Sequence, residues 1–295
     1  MGRIGAELVL LRRNVIAVST STLASFLLPE GFARPAVAAV LREGSLVAEA
    51  GRYALHSVGQ RRERRSAPYT GRQTTREADP VLLVPGFMAG DSSLTFMSRS
   101  LRAQGYRTYR SHIRANVGCT LNAAAQLEAR LESIAIRRGS RVQIVGHSLG
   151  GMLARGIAVR RPDLVSGIVT LGSPMLAPGA HHRALTAGVD VLIRLSRAGI
   201  PGLMSEECVA GGCARQSFEE SQEPMPHDVS FTSIFSKRDG IVDWRACVGP
   251  TAHAIEVTAS HIGMALDPRV IDHVVGSLRR TAQTSVLEVD RGVSA

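Results

Sequence analysis

Val81-Leu82-Leu83-Val84 is an unbroken apolar run that stops at Pro85-Gly86, the pattern of a strand buried on both faces. From there to residue 280 two kinds of pattern alternate. Apolar positions at helical spacing predict helices over 91–104, with Asp91 or Ser92 as N-cap, over 121–138, over 149–160 before Pro162, and over 269–280. Short continuous apolar runs predict strands at 142–145, 164–171, 230–236 and 254–258. Strands and helices in alternation specify an α/β fold, a mostly parallel sheet with helices on both faces.

Two stretches break this rhythm. Val37, Val40, Leu41, Val47, Ala54, Leu55 and Val58 recur at helical spacing, which predicts an amphipathic helix packed on the domain. Residues 178–228 are rich in Gly and Pro, with one helical segment at 186–197. About fifty such residues inside a compact domain read as an insertion capping a site. The expected organisation is an N-terminal basic helical extension and linker (1–78), an α/β domain (79–280) with the cap-like insertion 178–228, and a C-terminal tail (281–295). Within the extension, 61–80 carries Arg, Thr, Gly and two prolines and reads as the linker.

Composition narrows the function classes. Hydrophobic residues make up 44% of the 295, enough to build a core, so disorder is excluded for the whole chain. The longest uncharged apolar run, 14–28, is diluted by Ser and Thr and falls short of the roughly 20 residues that span a bilayer. Arg3, Arg12 and Arg13 before that run, with Ala36-Val37-Ala38 beyond it, resemble a secretory signal; Glu7, Pro29, Glu30 and Arg34 do not fit one. The expectation is a cytoplasmic protein, with secretion left open, whose basic N-terminus serves as a peripheral membrane contact or a packing arm.

The formal charge is +10, and twelve arginines against seven acids fall within residues 1–80. The dense cluster Arg61-Arg62-Glu63-Arg64-Arg65 has no interleaved aromatics and no nucleic-acid motif, so no nucleic-acid partner is expected. It reads as a solvated segment or as a contact for an anionic membrane or acidic partner. Cys119, Cys208, Cys213 and Cys247 do not form a zinc framework, although Cys208 and Cys213 are close enough in sequence to close a small disulfide. No metal and no organic cofactor is expected.

The chemistry centres on Gly146-His147-Ser148-Leu149-Gly150-Gly151, set between a strand and a helix. A nucleophilic serine needs a sharp strand-to-helix turn that lifts its hydroxyl clear of the sheet, with small residues two before and two after. A base and an orienting acid must follow, in the order serine, acid, histidine. Asp239 follows the strand at 230–236, ahead of Asp243 as the acid. His261, in a small-residue loop after the last strand, is the best base, ahead of His253 and His273. His147 is expected to pack or hydrogen-bond under the turn. Leu149 N–H and a donor from Pro85-Gly86-Phe87-Met88, assigned to Phe87 with Met88 second, would form an oxyanion hole.

With these pieces in place the chain resembles serine hydrolases of the α/β-hydrolase fold, similar to small bacterial lipases and esterases. The matching segments are Val84-Pro85-Gly86-Phe87, Gly146 to Gly151, Gly172-Ser173-Pro174, Asp239-Gly240-Ile241-Val242 and His261-Ile262-Gly263. Many relatives carry His-Gly where this chain has Pro85-Gly86. The resemblance implies Ser148 as nucleophile, His261 as base, Asp239 as orienting acid, and Phe87 and Leu149 as oxyanion donors. The expected activity is hydrolysis of carboxylic, lipid-like acyl esters through an acyl-Ser148 intermediate. An acyltransferase on the same triad and a non-catalytic ligand-binding module are the alternatives.

Overall fold

Six parallel strands in the order β2-β1-β3-β4-β5-β6 form the centre of the computed structural model, which describes residues 23–66 and 80–293. They are β1 (Val81–Val84), β2 (Thr108–Arg110), β3 (Val142–His147), β4 (Val165–Leu171), β5 (Ser230–Phe235) and β6 (His253–Glu256). The residues before Leu23, with most of the signal-like stretch, and 67–79 of the expected linker lie outside the described residues, as do the Arg61–Arg65 side chains.

Alternation along β1 builds both layers of the core. Val81 and Leu83 face helices α2 (Thr95–Ala103) and α7 (Pro268–Val293), packing with Met97, Leu101, Val274 and Leu278. Leu82 and Val84 face α3 (Thr120–Arg138) and α4 (Leu149–Arg160), packing with Leu127, Leu131, Leu153 and Ile157. Each such fully buried Leu or Ile stabilises the fold by about 1.5–3 kcal/mol relative to an exposed one. The chain crosses to β2 on one side of β1 and returns to β3 on the other. That reversal leaves a crevice at the carboxyl ends of β1 and β3, where open α/β sheets bind ligands.

Several boundaries differ from the pattern. Strand β2 was not expected: Thr108-Tyr109-Arg110 has no apolar run, and it is a strand because it pairs along the β1 edge, Val81 beside Thr108. Helix α1 (Leu46–Ser66) continues through residues read as the start of the linker, where Arg and Glu are good helix formers and no Gly or Pro intervenes. The terminal helix α7 runs to Val293 rather than Arg280, through most of the expected tail.

The insertion 178–228 holds two helices, α5 (Arg183–Arg197) and α6 (Gly212–Gln222), the second absent from the pattern. Val189, Leu192 and Ile193 of α5 share an apolar cluster with Met204, Val209, and Leu23 and Leu27 from the N-terminal segment. Leu27 is tied to the insertion through Gly179 N–H to its carbonyl (2.6 Å).

The N-terminal helix packs differently from expectation. Residues Val37–Ser45 are 3-10 helix leading into α1, and Val37, Leu41, Val47 and Leu55 are 67%, 78%, 81% and 76% exposed. The contacts with the domain include polar ones: Glu43, Glu49 and Arg52 all turn toward it. Bonds from main-chain and hydroxyl donors to half-buried Glu43 and buried Glu49, and from Arg52 to Asp267, hold this face, and the apolar stripe is left outward.

Candidate active site

Ser148 sits on the turn between β3 and α4 with φ +52° and ψ −120°, a conformation a non-glycine residue adopts only when its surroundings enforce it. Its N–H donates to the Leu171 carbonyl (2.8 Å), which ties the turn to β4. The neighbouring glycines are required by space. A Cβ on Gly146 would lie 2.5 Å from the Gly150 carbonyl oxygen, and one on Gly150 would lie 2.2 Å from that of Val84. Gly86 lets the β1 loop come so close that a Cβ there would sit 3.1 Å from the Ser148 Cβ.

Asp239 and His261 leave the ends of β5 and β6 on the same edge of the sheet. Asp239 is buried; its Oδ1 accepts from Ile241 and Val242 N–H, both at 2.8 Å, and its Oδ2 lies 2.7 Å from His261 Nδ1. A carboxylate only accepts, so Nδ1 carries the proton and Nε2 keeps a free lone pair. Burial opposes a charge on His261, but the Asp239 charge and hydrogen bond, with Glu43 behind them, outweigh it and raise the pKa. Gly172, at φ +57°, lies where a Cβ would be 3.0 Å from His261 Nδ1 and 3.2 Å from Asp239 Oδ2.

The competing residues lie away from this pair or are engaged elsewhere. Asp243 makes a two-pronged pair with Arg245, at 2.9 and 3.0 Å, and accepts the Ala33 N–H. His253 and His273 are exposed, on β6 and α7. His147 lies beneath the turn with its Nε2 2.9 Å from the His261 carbonyl oxygen. Burial, with the neighbouring His261 charge, lowers its pKa to about 4, so it is neutral at pH 7.

The β1 loop separates the two oxyanion candidates. Met88, at φ +58°, donates its N–H to the Asn116 carbonyl (3.0 Å), whereas Phe87 N–H has no protein acceptor among the described residues. Leu149 stands at the first position of α4, where an N–H lacks an intrahelical acceptor. Sequence reasoning missed Asn116. It is buried, its Nδ2 donates to the Pro85 carbonyl (3.0 Å) and its N–H to the Ala89 carbonyl (2.8 Å), so one residue pins the loop at three points, one by its side chain and two by its main chain. A loop asparagine thirty residues away carries no local sign of that contact.

Ser148 opens into a cleft with ≈ 840 Å³ of empty space, mouth included. Leu23, Leu27, Phe87, Met152, Leu185, Val189, Met204, Val209 and Phe218 give it apolar walls, with Thr120, His181 and Ser217 among its few polar groups. The insertion and the N-terminal segment therefore both wall the cleft. All four cysteines are free thiols, so Cys208 and Cys213 do not close a loop. Among the described residues no group of acidic, His and Cys side chains is arranged to hold a metal, and no helix is long and apolar enough to cross a membrane.

Residues 81–292 match the model of the Alpha/beta hydrolase family. A triacylglycerol lipase of Vibrio cholerae serotype O1 is 30% identical over 144 residues, 46% of this chain and 42% of the lipase, so the match spans less than half of that relative. Among solved structures, the mature Bacillus licheniformis lipase BlEst2 superposes with a TM-score of 0.55 at 15% identity, over 68% of this chain and 92% of the lipase. The metagenomic carboxyl esterase MGS0156 superposes with a TM-score of 0.52 at 15% identity, over 72% and 76%. At these identities the likeness is one of fold.

Proposed function

The chain belongs to the alpha/beta hydrolase family, and from that premise we propose that it hydrolyses carboxylic esters by way of an acyl group carried on Ser148. The observation that carries this reading is the 2.7 Å bond between buried His261 and Asp239, on the sheet edge where the strained Ser148 turn opens into the cleft. A serine hydroxyl at its ordinary pKa is a poor nucleophile and needs such an oriented base.

His261 Nε2 takes the Ser148 proton as Oγ attacks the acyl carbonyl, and Asp239 holds the imidazole tautomer and stabilises the imidazolium. Phe87 and Leu149 N–H groups receive the oxyanion, each contributing roughly 10²–10³ in rate. His261 then protonates the leaving alcohol, and afterwards draws a proton from water as it attacks the acyl-enzyme. Leu23, Leu27, Val189 and Met204 suit an apolar acyl chain, which supports lipid-like esters as substrates.

The test is labelling of the purified chain by a fluorophosphonate probe beside Ser148→Ala and His261→Ala. Labelling that requires both residues is the expected result, followed by turnover of esters of increasing chain length. A folded wild type that takes no label would overturn the reading and favour a non-catalytic binding module.

Exposure of Val37, Leu41, Val47 and Leu55 on a basic N-terminal segment supports a further part of this reading, a peripheral contact with an anionic lipid surface. Sedimentation with phosphatidylserine vesicles, lost in Leu41→Ser/Val47→Ser/Leu55→Ser, is the expected result. Equal sedimentation of the two proteins would sink it.

A further inference from the structure

The loops bearing Asp239 and His261 are held from behind by residues that precede the family match at 81–292. Glu43 Oε1 accepts from the N–H groups of Gly240 and His261, each at 3.0 Å, and its Oε2 from that of Ile262 at 3.1 Å. One carboxylate thus joins the residue after the acid to the base itself and the residue after it. Glu49, fully buried, accepts from the Ser260 N–H (2.8 Å) and hydroxyl (2.6 Å) and from the Ser45 hydroxyl (3.0 Å). Arg52 closes the row on Asp267 at 2.7 Å.

The loops are shaped to receive this strap. A Cβ on Gly240 would fall 2.3 Å from the Ala39 carbonyl oxygen, and one on Gly263 would fall 1.8 Å from Glu49 Oε2. Gly240 and Gly263 follow Asp239 and His261 in the chain, so the glycines flanking acid and base are the positions where the strap backbone and carboxylate fit. Charge-assisted bonds to main-chain N–H groups are stronger than neutral ones and fix direction as well as distance. Apolar packing of Leu41 or Val47 cannot replace them, because those side chains face solvent.

We propose that Glu43 is a positioning residue for the hydrolytic site: its carboxylate fixes the main chain at Gly240, His261 and Ile262, and its charge favours the imidazolium that His261 becomes during acyl transfer. The inference rests on the reading of Ser148, His261 and Asp239 as a triad. The titratable groups around His261 are Asp239 from the β5 loop, His147 from the end of β3, and Glu43 from the strap, with Glu49 one residue away on Ser260. Both acids, on the strap and loop sides, attract the imidazolium, whereas His147, whose pKa is lowered to about 4, is neutral where His261 titrates.

The experiment measures the rate of fluorophosphonate labelling against pH for the full chain, Glu43→Gln and Glu43→Asp. Glu43→Gln removes charge and one acceptor, so its plateau rate falls several-fold and its midpoint moves to lower pH by about half a unit or more. Glu43→Asp keeps the charge on a shorter arm, so its plateau falls while its midpoint stays close to wild type. The midpoint is read only from protein folded enough to react, so partial unfolding does not mimic it. Should Glu43→Gln fail to fold, the Glu43→Asp plateau still decides. An unchanged plateau and midpoint overturn the inference while His261-dependent labelling of wild type leaves the triad standing. Labelling of wild type that ignores His261→Ala would overturn the triad instead.

Discussion

The imidazole of His147 donates from Nε2 to the main-chain carbonyl of His261, 2.9 Å away, with the two rings 4.9 Å apart. The residue beside Ser148 thus supports the backbone of His261. The bond requires a proton on Nε2, and a second proton on the ring would put two cations side by side in a buried place.

This relationship gives a pH signature. His147 has a pKa of about 4 when folded and near 6.5 when unfolded, so between those values the unfolded chain binds more protons. Its contribution to stability therefore declines as pH falls from about 6.5 to 4. His147→Gln, which keeps an N–H donor and does not titrate, should show a shallower acid-side loss in urea titrations than wild type. His147→Ala should lose about 1–3 kcal/mol at neutral pH, because a buried carbonyl is left without its donor. Identical pH slopes for wild type and His147→Gln would contradict this.

His261, the proposed base, behaves in the opposite sense. The pKa of His261 is raised above 6.5, and only its neutral form accepts the serine proton. The rate of acylation should rise with pH through a midpoint above that value. Stability from the His261–Asp239 pair is fully present below the unfolded imidazole value and is lost as pH rises through the folded one. Asp239→Asn should lower turnover by on the order of 10⁴ while leaving a folded protein, and it should abolish the alkaline-side stability slope. Retention of a wild-type rate would exclude Asp239 as the orienting acid.

The turn around Ser148 should not tolerate a methyl group. A Cβ on Gly150 meets the Val84 carbonyl oxygen at 2.2 Å, and neither the strand nor the helix can move away cheaply. Gly150→Ala should cost about 1–3 kcal/mol in denaturant unfolding and reduce probe labelling further than the loss of folded protein explains. Wild-type stability would show that β1 and α4 yield more easily than their packing implies.

The cleft wall should set acyl length. Val209 lines the cleft and is buried beside Leu23 and Leu27. Val209→Trp should shift preference toward shorter esters, read as the ratio of kcat/KM for long and short acyl chains, with little change for the shortest substrate. A ratio unchanged from wild type would mean that the chain lies elsewhere.

The sheet, its helices, and the positions of Ser148, Asp239 and His261 were legible because each depends on short-range signals. Apolar runs mark buried strands, and ligand-bearing residues follow strand ends in a set order. Asp239 was placed ahead of Asp243 from the sequence, but both follow β5, and only three dimensions show Asp239 bonded to His261 and Asp243 engaged by Arg245 and Ala33.

Helix α1 marks the boundary of what the pattern could say. Periodicity correctly announced helical structure across residues 37–58, yet it put the apolar stripe inward, whereas the structure turns Glu43, Glu49 and Arg52 inward instead. Those side chains meet partners some two hundred residues away, and a carboxylate that bonds to main-chain N–H groups leaves no mark in the partner's sequence beyond a glycine. The amino-acid order by itself determined most strands and helices and where Ser148, Asp239 and His261 leave them, because local sterics and burial periodicity decide these; β2 and α6 carried no such pattern. Tertiary structure alone decided what braces the reactive groups, through Glu43, His147 and Asn116, because a hydrogen bond to backbone is fixed by how the chain folds back on itself.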